Sequence, residues 1–170
     1  MSVVLVLGGA RSGKSRYAEG LIHMQKHYVA TAQAFDDEMR ERIQQHQLRR
    51  DMDWNNYETP IDLVPQLRSI DGWGNHILVD CLTLWLSNLM LEGSDCEAEI
   101  SELVEHLASA KARIVIVSNE VGFGIVPDNK LARQFRDIQG LANQFVAAVA
   151  ESVVMTVAGI PMLVKGPWPK

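Results

Sequence analysis

The chain has 170 residues, 47% of them hydrophobic and 22% charged, which suits one globular domain with a substantial core, here taken as 1–170. Its net charge of -5 speaks against a nucleic-acid binder, which carries a basic balance or stripe, but leaves room for locally basic sites that take small anions. The longest apolar stretch, 77–91, includes Asp80 and is too short to span a bilayer; no basic residues precede the apolar start as in a signal peptide; and Cys81 and Cys96 make neither a disulfide framework nor a metal pattern, so a reduced, cytoplasmic protein is expected.

In chain order, "VVLVLG" (3–8) reads as a buried strand and "KSRYAEGLIHMQK" (14–26) as a helix. "HYVATA" (27–32) is a second strand. "DDEMRERIQQHQLRR" (36–50) is helical, with acids in its first turn where the helix dipole favours them. "IDLVPQLRSI" (61–70) is a weak helix interrupted by Pro65. "HILVD" (76–80) is a third strand, followed by a nearly all-apolar helix, "LTLWLSNLML" (82–91), which reads as core ahead of a cofactor site, or buries one face against another subunit. "CEAEISELVEHLASAKA" (96–112) is amphipathic and helical, and "RIVIVS" (113–118) is a fourth strand. A long helix follows over 128–151 with Asp128 as its N-cap, and two short strands, "SVVMTVAG" and "PMLVK", close the chain. Unbroken apolar strands separated by helices predict an α/β fold whose mostly parallel sheet is covered on both faces, with ligands at the carboxyl ends of the strands.

"GGARSGKS" places Gly8, Gly13, Lys14 and Ser15 in the pattern G-x-x-x-x-G-K-[ST], after a strand and at the start of a helix. In such a loop the backbone N–H groups of Gly8, Gly9, Ala10, Arg11, Ser12 and Gly13 wrap phosphate oxygens. Lys14 reaches the β- and γ-phosphates, and Ser15 holds Mg2+. Asp80, at the carboxyl end of "HILVD", stands where a second magnesium-side acid belongs; the alternative is a cap for the next helix. A regulatory GTPase does not fit. "DIQG" (137–140) sits inside a helical pattern, "SAK" (109–111) precedes a strand instead of following one, and N-K-x-D is absent. A small-molecule kinase fits better, because phosphoryl transfer needs positioning and charge neutralisation above all.

A plain kinase leaves His46 unexplained. On a helix, Arg42, Arg49 and Arg50 fall within four residues of it, on adjoining parts of one face. Arginines suit phosphate geometry, and their charge favours a neutral, nucleophilic imidazole. Such a group could take a nucleotidyl unit as a phosphoramidate, with pyrophosphate leaving. By spacing alone, an ordinary solvated histidine remains open. His23, His27, His76 and His106 have no partner pattern and read as structural or surface residues, and Cys81 reads as a small buried one.

Taken together, "LVLGGARSGKSRYAE", "YVATAQAFDDEMRERIQQH", "LVDCLTLWLSNL" and "VSNEVGFGIVPDNKLARQFRDIQGLANQ" resemble the bifunctional adenosylcobinamide kinase/adenosylcobinamide-phosphate guanylyltransferase family of cobalamin biosynthesis. The segments occur in the expected order over nearly the whole chain, and are weakest over 61–75, 92–112 and after Lys165. The resemblance implies a three-layer P-loop NTPase-type fold with a RecA-like core, and a homotrimer. It implies phosphorylation of adenosylcobinamide with ATP or GTP, then transfer of GMP from GTP through His46 of "RIQQH". By the same analogy, Ala30, Thr31 and Ala32 end a strand at the nucleotide, and Arg49, Arg50 and Glu58 contact guanine or ribose. Asn119 and Glu120, after the fourth strand, bind substrate or metal or shape the loop.

Overall fold

A computed structural model describes residues 2–33 and 53–170. In chain order these form β1 (Ser2–Gly8), α1 (Lys14–Glu19), β2 (Lys26–Ala30), β3 (Trp54–Glu58), α2 (Leu63–Ile70), β4 (His76–Asp80), α3 (Leu82–Glu92) and α4 (Cys96–Ser109). They continue with β5 (Arg113–Asn119), a 3-10 turn (Val121–Phe123), α5 (Lys130–Val149), β6 (Ser152–Val157) and β7 (Ile160–Lys165). The strands make one sheet in the order β3-β2-β4-β5-β1-β6-β7. Every neighbouring pair is parallel except β6 and β7, which form an antiparallel hairpin.

The central strands are apolar throughout because both faces are covered, and alternate residues point to opposite layers. Val3, Leu5, Leu7, Ile77, Val79, Ile114 and Ile116 pack with Trp85, Leu86, Leu103 and Val146 of α3, α4 and α5. Val4, Val6, Leu78, Val115 and Val117 pack with Ala18, Leu21 and Ile22 in and after α1. α3 is apolar on nearly all sides because it lies in the core: Leu82, Trp85, Leu86 and Leu89 are buried there. The three-layer, mostly parallel architecture expected from the sequence is the one found.

Several boundaries differ from expectation, each for a local reason. α1 stops at Glu19 instead of Lys26. Gly20 follows, and i to i−3 bonds from Leu21 and Ile22 tighten the chain so that both side chains drop into the core. Pro65 does not interrupt α2. It is the third helical residue, where an N–H would have no intrahelical acceptor. The N-cap of α5 is Asn129, not Asp128: the Asn129 side chain accepts from the Ala132 N–H at 2.8 Å. α4 ends at Ser109 because the Lys111 and Ala112 N–H groups bond Asp71 Oδ1 instead of continuing the helix. β3, "WNNYE", was not expected at all. It is an edge strand with no buried residue, so it carries no apolar signal. The helix expected over 36–50 lies wholly outside the described residues, as do His46, Arg49 and Arg50.

Candidate active site

Sheet register puts the candidate residues at one edge of the sheet, on two levels two residues apart. Ala30 is opposite both Glu58 and Asp80, Asp80 is opposite Val117, and Gly8 is opposite both Asn119 and Thr156. Glu58, Ala30, Asp80, Asn119 and Gly8 therefore mark the carboxyl ends of five adjacent strands, where an open α/β sheet binds ligand.

The phosphate loop leaves β1 at Gly8 and enters α1 at Lys14. Gly9, Ala10, Arg11 and Gly13 are exposed, so their backbone is accessible to an incoming phosphate. Two of them lie in the left-handed region, Arg11 at φ 56 and Gly13 at φ 93. That conformation is costly for arginine and persists where the surroundings fix it, as they do here. The Thr156 hydroxyl donates to Leu7 O at 3.1 Å and so takes its 2.8 Å bond from the Ser12 hydroxyl as acceptor. The Gly159 N–H, in the β6–β7 turn, donates to Ser12 O at 2.9 Å. Contact is so close that a Cβ on Gly8 would lie 2.4 Å from Ser12 Oγ and 2.8 Å from Thr156 O. The terminal hairpin is thus the backing plate of the loop. Lys14 Nζ donates to Gly9 O at 3.0 Å, which curls the ammonium over the loop.

The next joint lies between β2 and β4. Thr31 is fully buried, and its hydroxyl donates to Cys81 O at 2.7 Å while accepting from the Cys81 N–H at 2.9 Å. The Thr31 N–H donates to Asp80 O at 3.1 Å, and Asn88 Nδ2 ties Thr31 O to Pro60 O. The Thr31 side chain is therefore engaged inside the protein, holding the strand end that carries Asp80. Tyr28 donates its hydroxyl to Asp80 Oδ2 at 3.1 Å and so orients that carboxylate. Asp80 is not the N-cap of the following helix: Cys81 occupies that position, and its side chain makes no capping bond. Cys81 is buried, and burial first, with the Asp80 charge second, pushes its thiol up to about 11. It is an inert packing residue, as expected.

At the end of β5, a polar cluster lies between the sheet and α5. Asn143 Nδ2 donates to Asn119 O at 3.1 Å and to Glu120 Oε1 at 3.0 Å. Its Oδ1 accepts from the Ser118 hydroxyl at 2.7 Å and from Gln139 Nε2 at 3.0 Å. Gln139 Nε2 also donates to Ser118 Oγ at 2.9 Å. Thr83 Oγ1 accepts from the Asn119 N–H at 2.8 Å, and the Glu120 N–H donates to Gly8 O at 3.3 Å. Gln139 Oε1 is buried without a partner among the described residues, an arrangement that costs about 1–3 kcal/mol. "DIQG" is here a stretch of α5, so its exclusion as a GTPase element holds.

A model of the cobinamide kinase/cobinamide phosphate guanyltransferase family matches residues 4–164. The chain belongs to that family. It is 47% identical to the bifunctional adenosylcobalamin biosynthesis protein CobP of Pseudomonas aeruginosa, over 95% of this chain and 96% of the relative. It is also 39% identical to the protein of the same description, CobU, from Escherichia coli K12, over 96% of this chain and 99% of the relative. A solved structure from Pyrococcus horikoshii OT3 shares the fold alone: TM-score 0.54 at 9% identity, over 97% of this chain and 86% of that one. The resemblance noted in the sequence is therefore real family membership. No helix among the described residues is long and apolar enough to cross a membrane.

The phosphate loop, Asp80, Glu58 and Asn119 lie at the carboxyl ends of adjacent strands, and Glu120 directly follows β5. Arg49, Arg50 and His46 lie outside the described residues. Ser15 and Asp80 offer a hydroxyl and a carboxylate, hard oxygen donors of the kind that hold Mg2+ together with substrate phosphates. No group of three or more His, Cys, Asp or Glu among the described residues is placed to hold a metal ion. Tyr28, Thr156, Gln139 and Asn143 were not singled out from the sequence. Gln139 and Asn143 had a readable signal: they are amides spaced i, i+4 on the helix face that carries the buried Ala142 and Val146.

Proposed function

We propose that the enzyme phosphorylates the aminopropanol hydroxyl of adenosylcobinamide with ATP or GTP. It then transfers GMP from GTP to that phosphate through a guanylylated His46, giving adenosylcobinamide-GDP and pyrophosphate. The observation that carries the reading is the phosphate loop at the carboxyl end of β1, with Asp80 at the same end of β4 on the far side of β5, in a chain of this family. In the first reaction the loop amides and Lys14 hold the triphosphate and offset charge on the transferring phosphoryl group. Mg2+, held by Ser15 and Asp80, supplies further neutralisation of phosphate charge when bound.

In the second reaction a neutral His46 ring nitrogen attacks the α-phosphorus of GTP. A P–N bond forms, the bond to the β-phosphate oxygen breaks, and pyrophosphate leaves. A phosphate oxygen of adenosylcobinamide phosphate then attacks the same phosphorus, breaks the P–N bond and restores the imidazole. The sequence spacing of Arg42, Arg49 and Arg50 around His46 supports this role. Ala30, Thr31, Ala32, Glu58, Arg49 and Arg50 belong to the nucleotide side of the site in this reading, and the working form is a cytoplasmic homotrimer. A kinase-only enzyme is the competing account.

Intact mass after incubation with Mg-GTP, for wild type and His46→Ala, separates the two. One acid-labile GMP on wild type alone is the expected result. No adduct on either, where GTP demonstrably binds, leaves only the kinase.

A further inference from the structure

We infer that Glu120 is the base that receives the substrate hydroxyl proton in the phosphoryl-transfer step, and that Asn143, oriented by Ser118 and Gln139, is its positioning residue. The inference rests on the kinase reading above. Glu120 follows β5, the strand between Asp80 on β4 and the phosphate loop on β1. Its N–H is bonded to Gly8 O, so its backbone is fixed to the first residue of the loop. Its carboxylate meets a neutral amide, Asn143 Nδ2, and among the described residues no cation pairs with it. A carboxylate placed there and held through one oxygen keeps the other for a substrate hydroxyl.

The amide that holds it has only one orientation open to it. Asn143 has two donor hydrogens and two acceptor lone pairs, and all four are used. Because Ser118 and Gln139 both donate to Oδ1, the amino group must face Asn119 O and Glu120. Gln139 is fully buried and spends both donor hydrogens on this arrangement while its own Oε1 goes unpaired. An apolar residue would fill that space without an orphan atom, so stability does not explain the glutamine. Aiming Asn143 does. In the step itself, the hydroxyl oxygen bonds to the γ-phosphorus and the bond from that phosphorus to the β,γ-bridging oxygen breaks. The nucleoside diphosphate leaves, and the hydroxyl proton ends on Glu120.

The test is steady-state phosphorylation of adenosylcobinamide with Mg-ATP by wild type, Glu120→Gln, Asn143→Leu, the double variant and Gln139→Met, with melting temperature and nucleotide Kd measured for each. Glu120→Gln should lower kcat about 100-fold or more, with nucleotide Kd within threefold. Asn143→Leu should lower kcat roughly tenfold in the wild-type background and less than twofold beside Glu120→Gln, because it acts through that carboxylate. Gln139→Met should lower kcat without lowering the melting temperature, a split that a packing role cannot give. Equal losses from Asn143→Leu in both backgrounds, or an unchanged kcat in Glu120→Gln, overturn the inference alone. A wild type that binds Mg-ATP and Mg-GTP yet makes no adenosylcobinamide phosphate with either overturns the kinase reading and this inference with it.

Discussion

At the carboxyl ends of the strands the chain leaves the backbone of Gly9, Ala10 and Gly13 open to solvent and spends side chains such as Thr156, Thr31 and Asn143 on holding loops in place. At the amino ends it closes over itself. Ser152 donates its hydroxyl to Pro167 O at 2.7 Å, Arg113 donates to Lys170 O, and residues 166–170 run across the starts of β1, β5 and β6. The cleft left there, about 310 Å3, is lined by Arg113, Glu151, Trp168 and neighbours from the same strand starts and tail. One end therefore gives up local satisfaction for access, and the other gives up access for closure. Substitutions at the two ends should separate activity from stability.

The largest effect is expected at the open end. Lys14→Ala should lower kcat for phosphoryl transfer by about 100- to 1000-fold, the usual loss when one donor to developing phosphate charge is removed. Its melting temperature should stay within a few degrees of wild type, because Lys14 is not part of the core. A variant that keeps more than a tenth of the activity would remove Lys14 from the phosphate site. At the closed end, Gly166→Ala should do the reverse. Gly166 has φ 75, and a Cβ there would fall 1.9 Å from Glu151 O. The tail must detach, with loss of the Ser152 and Arg113 bonds, at about 1–3 kcal/mol. Denaturant unfolding should show that loss while both activities stay within twofold. Unchanged stability would mean that the tail closes nothing.

The difference between the ends also decided what could be read from the sequence. The sheet core was legible because strands covered on both faces are apolar at every central position, as in "VVLVL" and "IVIV". The phosphate loop was legible because glycine spacing and Lys14 encode its backbone path locally. β3 was not, since an edge strand with exposed asparagines shows no period. Nor were the partners of the site. That Thr156 backs the loop depends on a contact 144 residues apart in sequence, and that Asn143 meets Glu120 depends on α5 crossing the end of β5. Chain spacing set His46 apart through Arg42, Arg49 and Arg50 but left an ordinary solvated histidine open, and only the family resemblance gave it a role.

The smallest expected effect is a pH dependence that belongs mainly to the closed end. His27 and His76 sit at the starts of β2 and β4, and burial holds both below the ordinary 6.5, with Arg113 and His23 adding to the effect on His76. His106, on α4, is lowered by burial as well, and then by Arg68, with Asp71 opposing. In each case the folded state favours the neutral ring, so below 6.5 the unfolded chain binds more protons than the native one. Stability is then fully present above about pH 6.5 and falls as pH drops below it. Glu99, held above its usual value by burial and by neighbouring acids, works in the opposite direction. Melting temperature should therefore fall by a few degrees between pH 7.5 and 5.5. His76→Asn keeps an acceptor for the His23 N–H, which now bonds Nδ1 at 3.2 Å, and removes the titration. That variant should flatten the slope, whereas Lys14→Ala should leave it as in wild type. A slope identical in His76→Asn and wild type would assign the acid sensitivity to groups other than this histidine.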